Sequence, residues 1–408
     1  MPGHLRRRSI VLPLVLGLLA GLLPQAASAA APSLKSTVIA SGLVHPWDVA
    51  FAPDGTMLVT ERPGRVRVYS SGAAGAKLLR TITIPSVRAE GEAGLMGIAV
   101  DVNFASNHFV YVCASRTTGS GWRNQVIRYR VGAGGGWGAE TVLIGSMIAN
   151  TIHNGCALEM DRFGKLWVSM GDANDWSRAQ NRNSLNGKIL RINRDGTTPS
   201  DNPLIGGTRN AVYSMGHRNP QGIAIRPGTD QVYAAEHGPE PAHGDDEINR
   251  IVSGGNYGWP CFTGDGRAYR TIAGCKSASN YITPLWASGV PTLATSGAAF
   301  VSGSQWADFN GQLFVSTLKE QDLRRFPINA SGTDLGGPAT HYNNTWGRLR
   351  ATVSGPGGQL YLTSSNGSND KVIRISPAVP SVGRLSGAER YTTATAESRA
   401  SYPNGATN

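Results

Sequence analysis

The sequence is poor in charge and in cysteine, and it has no long stretch of helical periodicity. Charged residues make up only 16% against 40% hydrophobic, which argues against a disordered, self-repelling chain and leaves a globular one. No Lys/Arg-rich tract carries interleaved aromatics, so nucleic acid is a poor partner class. The four cysteines, Cys113, Cys156, Cys261 and Cys275, have no zinc or haem spacing. The apolar run from Ile10 to Leu23 is too short for a comfortable membrane span.

Glycine, by contrast, is abundant: 52 of 408 residues, as suits an all-β chain full of tight turns. The N-terminus reads as a targeting segment. Arg6-Arg7-Arg8 precedes the apolar run, and Ala27-Ser28-Ala29 follows as a small-x-small cleavage signal. Residues 1–29 are therefore expected to be a signal peptide, with an uncleaved anchor as the alternative. Arg7-Arg8-Ser9-Ile10-Val11 also weakly fits a twin-arginine signal. The formal net charge is +11, and loss of Arg6, Arg7 and Arg8 leaves +8, which suits an anionic ligand or cell envelope. Export permits disulfides. Cys261 and Cys275 flank a Gly-containing loop and are expected to pair. Cys113 and Cys156 either pair or remain free buried thiols.

Six segments share one pattern: a short apolar strand, a polar turn, a second β-rich run, and often a third with basic-apolar alternation. The first begins Trp47-Asp48-Val49-Ala50-Phe51, and its counterparts begin at Gly97, Ala157, Gly222, Ala298 and Ala351. Period-two alternation rich in β-branched and aromatic residues reads as antiparallel strand. Such units, repeating every fifty residues or more, read as propeller blades. The expected fold is all-β, a six-bladed β-propeller over residues 36–379, with a two-layer sandwich as the alternative. Long insertions at 173–186 and 239–245 are expected at one mouth of the central channel, where residues distant in sequence converge. After Pro377 the composition turns Ala/Ser/Thr-rich, and 380–408 reads as the opening of another module.

Several polar residues fall at predicted strand ends. His153 precedes a blade-three strand and Asp172 follows the next one; a hairpin brings such ends together. A carboxylate beside a histidine orients the ring and raises its basicity, as a general base needs. The alternative is a hydrogen-bonded loop histidine. His217, His237 and His243 are weaker candidates, each more simply structural. Arg218, Lys319, Arg348 and Arg350 sit at loop ends of three blades. Arg348 and Arg350, two apart, are expected on one face of a strand. If convergent, these cations hold a ligand with several carboxylates; otherwise they are scattered surface charge. The carbonyls of Gly238 and Pro239 and the acids Asp245, Asp246 and Glu247 suggest calcium, although the cluster is not an EF-hand loop and also reads as a solvated acidic loop.

The chain resembles the soluble glucose/sorbosone dehydrogenase family. The resemblance rests on His45-Pro46-Trp47-Asp48-Val49-Ala50-Phe51, Thr60-Glu61-Arg62-Pro63-Gly64-Arg65 and Gly91-Glu92-Ala93-Gly94-Leu95-Met96-Gly97. It continues through Asn186-Gly187-Lys188, Asp201-Asn202-Pro203, Gly216-His217-Arg218-Asn219-Pro220-Gln221-Gly222 and Asn256-Tyr257-Gly258-Trp259-Pro260. It covers nearly all of residues 36–379 and implies a six-bladed propeller that oxidises aldoses with pyrroloquinoline quinone and calcium.

By position, the resemblance implies His153 as general base with Asp172 as its partner. Arg218 and Asn219 would contact the quinone. Lys319, Arg348 and Arg350 would bind its carboxylates, and Glu92 would stand on the cofactor side. Gly238 and Pro239 carbonyls would hold the cofactor calcium, and Glu247 and Tyr257 a structural calcium. The implied partners are a small sugar and a separate electron acceptor.

The sequence departs from the family at Ile152, which is not acidic, and at Cys156, where Gly is common. Shortened loops match a broad aldose dehydrogenase better than a glucose-specific one. Some members of the wider family bind no quinone, extracellular binding proteins among them. A non-enzymatic propeller binding carbohydrate or protein is therefore the competing class, and a propeller lactonase the third. The tail around Arg384-Leu385-Ser386-Gly387-Ala388-Glu389-Arg390-Tyr391 resembles the start of a cell wall-binding repeat of Gram-positive surface proteins, which implies a secreted or wall-associated protein with cell wall polymer as a further partner.

Overall fold

The computed structural model describes residues 31–239 and 245–378. The expected signal peptide, the tail module from 380 onward and His243 lie outside the described residues.

Six four-stranded antiparallel sheets surround one axis. Their innermost strands are Pro46–Phe51, Leu95–Val100, Gly155–Met160, Pro220–Ile225, Thr295–Phe300 and Leu349–Ser354. Each packs against the inner strands of the blades on either side, and the last packs against the first. The ring is therefore closed, as the sequence pattern predicts. The sixth sheet is completed by the N-terminal strand Leu34–Leu43, which pairs antiparallel with Asp370–Pro377. The first and last strands of the propeller thus lock the ring together.

The repeat pattern predicts three strands per blade, and the structure has four. The outer strands are the weakly patterned ones. Leu78–Thr83 is almost wholly exposed, and Trp286–Ala287 is only two residues long. Neither has a buried face to impose alternation.

Six hydrophobic clusters hold the sheets together, one at each blade interface. For example, Leu58, Val66 and Val68 of blade one meet Ile98, Val110 and Val112 of blade two. The core is a ring of between-blade layers rather than one centre. Cys113 on the second strand of blade two and Cys156 on the inner strand of blade three form a disulfide inside one such layer. Cys261–Cys275 is the second disulfide and closes a loop at the end of blade four.

Every inner strand breaks register with its neighbour just after its first residue. Such a bulge bends the strand and increases its twist, as convergence on an axis requires. The residue at the bend is Gly97, Gly222 or Gly297 in three blades. A Cβ on Gly222 would lie 2.4 Å from the Ser296 carbonyl oxygen of the next blade, and one on Gly297 would lie 2.3 Å from the Thr352 amide nitrogen. The inner strands approach too closely for any side chain there. Gly222→Ala and Gly297→Ala should each lower stability by about 1–3 kcal/mol in urea titrations. Gly134→Ala, where nothing lies within 4 Å of the added methyl, should stay within about 0.5 kcal/mol. Equal losses at all three would refute the crowding argument.

Candidate active site at the channel mouth

The pairing of inner and second strands places the site. Pro46 pairs with Glu61, Gly155 with Met170, Pro220 with Glu236, and Leu349 with Ser364. The segments that precede inner strands therefore share one end of the propeller with the turns that follow second strands. His45, Glu92, His153, Arg218, Asn219 and Arg348 belong to the first group. Arg62, Asp172, His237, Gly238, Pro239 and Lys319 belong to the second. All stand at one mouth.

At the mouth His153 Nδ1 and Asp172 Oδ1 are 2.8 Å apart. An ionised carboxylate only accepts, so Nδ1 carries the proton and Nε2 keeps its lone pair. Among the described residues Nε2 has no hydrogen-bond partner. Asp172 is 1% exposed. Its second oxygen accepts the Trp259 indole N–H at 2.9 Å, and Asn174 N–H donates to Oδ1 at 2.8 Å. The carboxylate is thus fixed from three sides, and the ring is oriented by it. Glu92, from blade two, accepts the His153 backbone N–H at 2.9 Å. Asn219 is fully buried; its Oδ1 accepts Gly155 N–H at 3.1 Å and its Nδ2 donates to Glu92 at 3.4 Å. Its amide braces the His153 loop.

Cations ring this dyad. Arg218 donates to the His237 carbonyl at 2.8 Å, and its backbone N–H bonds Glu236. Burial pulls its guanidinium below the usual arginine range, while Asp172 and Glu92 resist. Arg350 is 7% exposed. It lies 3.7 Å over the Trp47 ring and donates to Gln221 Oε1 at 2.9 Å. Burial, with the charges of Arg348 and Arg62 and against the pull of Glu92, brings its pKa down to about 9. No carboxylate is within ion-pair distance of Arg350 among the described residues. A buried guanidinium without a counter-ion is a site prepared for an anion.

Arg348 and Arg350 do not share a strand face as their spacing predicts. The strand begins at Leu349 and carries its bulge between Leu349 and Thr352. Arg348 lies ahead of it and is exposed. Lys319 is also exposed, in the turn after Leu313–Thr317, with its backbone N–H on the Leu293 carbonyl. Sequence reasoning missed Arg62 as a site residue. It donates to the Gly91 carbonyl at 2.5 Å beside Glu92 and adds to the cationic field. Its position one residue past a second strand, matching His237 and one short of the offset of Asp172, was the available signal.

The acidic group lies deeper in blade four. Gly238 and Pro239 are buried, and Gly238 N–H donates to Asp246 at 2.9 Å. Burial and the charges of Glu236, Asp245 and Asp246 push the Glu247 carboxyl well above its ordinary range. Both Asp245 carboxylate oxygens and Asn249 Oδ1 are buried without a donor, and Arg267 is 3.5 Å from Asp245. These orphaned oxygens fit a hard cation. Among the described residues no group of three His, Cys, Asp or Glu is arranged to hold a metal, so such an ion also needs carbonyl oxygens. The Tyr257 hydroxyl is engaged with the Arg250 carbonyl at 2.5 Å and Val252 N–H at 3.0 Å.

A second histidine resembles a hydrolase triad. Ser214 Oγ is 2.8 Å from His217 Nε2, and His217 Nδ1 is 2.8 Å from Glu236. Ser214 and His217 are both 0% exposed, so no substrate carbonyl reaches the serine. This triad is a packing network, and it gives a hydrolase no nucleophile.

The family described as Glucose / Sorbosone dehydrogenase matches residues 43–374. An uncharacterized protein of Synechocystis, slr1608, is 33% identical over 368 residues, covering 84% of this chain and 87% of the relative. Aldose sugar dehydrogenase YliI of Escherichia coli is 29% identical, covering 86% of this chain and 94% of the relative. The solved structure of the PQQ-bound aldose sugar dehydrogenase of Streptomyces coelicolor is 29% identical, with a TM-score of 0.71, covering 86% of this chain and 99% of that one.

Below the mouth, the channel holds a cavity of about 130 Å³ whose lining includes Trp47, Asp48, Glu159, Gln221 and Arg350. Burial raises Asp48 to about 7, and burial with the Asp48 charge raises Glu159 to about 8. In the unfolded chain both ionise near their ordinary values, so the folded state binds more protons between those limits. Folding stability should therefore fall as pH rises from about 5 to about 8, and Glu159→Gln should flatten that fall in urea titrations. A variant slope equal to that of the parent would refute the assignment.

Proposed function

The chain belongs to the Glucose / Sorbosone dehydrogenase family, and on that premise we propose that it oxidises the anomeric hydroxyl of aldose sugars to lactones with pyrroloquinoline quinone and calcium. The observation that carries this reading is the His153–Asp172 dyad beside the buried, counter-ion-free Arg350. Base and anion site face one mouth.

Arg350 and Arg348, with Lys319 and Arg62 near the rim, would hold the carboxylates of the quinone. The Gly238 and Pro239 carbonyls would hold its calcium, and Glu247 with Tyr257 a structural ion. When bound, the quinone supplies the hydride acceptor and calcium a Lewis acid. The chain supplies the rest. His153 Nε2 accepts the proton of the anomeric hydroxyl as the hydride leaves the same carbon, so a hydride and a proton, two electrons and two protons in all, depart and the lactone remains. Asp172 stabilises the imidazolium that forms, and Trp259 keeps Asp172 from rotating away. Arg218, held by the His237 carbonyl and Glu236, would place positive charge toward the oxygens on which negative charge develops. The signal-like N-terminus and the wall-repeat-like tail support a secreted or wall-associated enzyme; its partners would be a sugar, an electron acceptor and cell wall polymer.

The test is reconstitution. Protein incubated with pyrroloquinoline quinone and calcium should reduce an artificial acceptor dye when aldoses are supplied. His153→Ala should lower kcat by about 100-fold or more and leave quinone binding, read by absorbance, intact. Arg350→Ala should weaken quinone binding by about tenfold or more. Dye reduction absent with every aldose would sink the dehydrogenase reading, and normal quinone affinity in Arg350→Ala would sink the anion-site assignment.

A further inference from the structure

The inner strand of blade three departs from the other five. In each inner strand the bulge follows the first residue, so six residues hold equivalent places: Trp47, Met96, Cys156, Gln221, Ser296 and Arg350. Of these six, Cys156 alone has a left-handed backbone, with φ +72°. Gly155 before it has φ +61°, and His153 has φ +58°. Glycine adopts such a conformation freely. His153 and Cys156 carry a Cβ and adopt it at a cost. It persists only where the surroundings over-determine it.

On one side the surroundings are backbone. A Cβ on Gly171 would lie 2.1 Å from the His153 carbonyl oxygen, and one on Gly155 would lie 2.8 Å from the Gly171 amide nitrogen. The same His153 carbonyl accepts the Ala173 N–H at 3.0 Å. On the other side stands blade two. Cys113 and Ser115 are two apart on the strand Phe109–Thr118 and so share one face. Cys113 is bonded to Cys156. Ser115 donates to the Asn124 side chain, and Asn124 Nδ2 donates to Asn154 Oδ1 at 3.0 Å. Cys113, Ser115, Asn124, Asn154 and Cys156 are all 0% exposed.

Blade two therefore grips the His153 loop at two points, on either side of Gly155. The hydrogen bond to Asn154 fixes one point and leaves rotation about it. The covalent bond at Cys156 fixes the second, and two points set the direction in which His153 leaves the strand. That direction matters because Asp172 is anchored independently, by Trp259 and by the Asn174 N–H. The carboxylate does not follow the ring, so a shift of the His153 backbone lengthens the 2.8 Å bond between them.

We propose that the Cys113–Cys156 disulfide is a positioning device for His153. It holds residue 156 left-handed where a glycine would otherwise be needed, and so keeps Nδ1 on Asp172 and Nε2 toward the mouth. Its effect on turnover rests on the dehydrogenase reading; its effect on the His153–Asp172 bond does not.

Two double variants lacking the cross-link test this. Cys113→Ala with Cys156→Ala leaves a Cβ at the left-handed position, and Cys113→Ala with Cys156→Gly removes it. In cofactor-free protein labelled with nitrogen-15 at histidine, the deshielded Nδ1 proton shared with Asp172 is read by NMR and assigned by its loss in His153→Ala. The His217–Glu236 bond, also 2.8 Å, supplies an internal control in blade four. The alanine pair should lose the His153 signal and keep that of His217; the glycine pair should keep both. In reconstituted enzyme the alanine pair should lower kcat by about tenfold or more with unchanged quinone affinity by absorbance, and the glycine pair should restore kcat to within about threefold of the parent. An unchanged His153 signal and kcat in the alanine pair would overturn the proposal. So would equal losses in the two pairs, including loss of both histidine signals in each, which would make the bond a staple of the whole fold. The expected NMR pattern without dye reduction by the parent would uphold the positioning role and overturn the dehydrogenase reading instead.

Discussion

Six inner strands converge on one axis, and that crowding governs the rest of the molecule. Strands at the axis approach until only hydrogen fits at Gly222 and Gly297. The bulge that recurs in each inner strand absorbs the bend. Hydrophobic burial cannot concentrate at the centre, so it is distributed over six between-blade layers. The ring closes with Leu34–Leu43 as the outer strand of the last blade. Each layer depends on its neighbours staying in register, and the closing strand carries that constraint round the circle.

The same convergence builds the site. Loops from six blades meet where each alone would be a solvated turn. Blade two contributes Glu92, blade three His153 and Asp172, blade four Arg218 and Trp259, and blade six Arg350. Crowding at the axis removes water from these groups. Desolvation is the leading cause that lowers Arg218 and Arg350 and raises Asp48 and Glu159. One geometric fact thus produces a cationic mouth and, beneath it, a pair of carboxylates that resist ionisation.

Much of this was legible in the sequence. The six-fold pattern comes from strands buried on both faces, whose composition is constrained wherever they pack. His153 and Asp172 could be paired because a hairpin returns its ends to one place. The illegible parts have a common physical cause: they depend on contacts between blades. The Cys113–Cys156 bond spans 43 residues and two sheets, so spacing alone left free thiols open. Arg348 and Arg350 were assigned one face because period-two reasoning assumes an unbroken strand, and the bulge breaks it. Outer strands escaped notice because water on one side and few neighbours on the other impose no alternation. Trp259 was quoted as part of a motif, yet its bond to Asp172 crosses from blade four to blade three.

Exposure, more than chemical identity, separates His153, the proposed base, from His217. His217 has a carboxylate on one nitrogen and a serine hydroxyl on the other, both at 2.8 Å. By residue types alone it is the better-equipped catalyst. It is also sealed, stacked 4.7 Å from Tyr257. His153 has the same carboxylate geometry, but the side chain is 12% exposed and its second nitrogen lacks a protein partner. A hydrogen bond already made inside the fold is unavailable to substrate, and replacing it would leave a buried donor or acceptor unsatisfied. The His153 loop keeps Nε2 open because polar groups beside it are met elsewhere: Glu92 takes the His153 amide, Asn219 takes the Gly155 amide, and Asn150 and Asn154 bond each other. The surrounding network satisfies these neighbouring groups of the loop and leaves Nε2 as an acceptor toward the mouth.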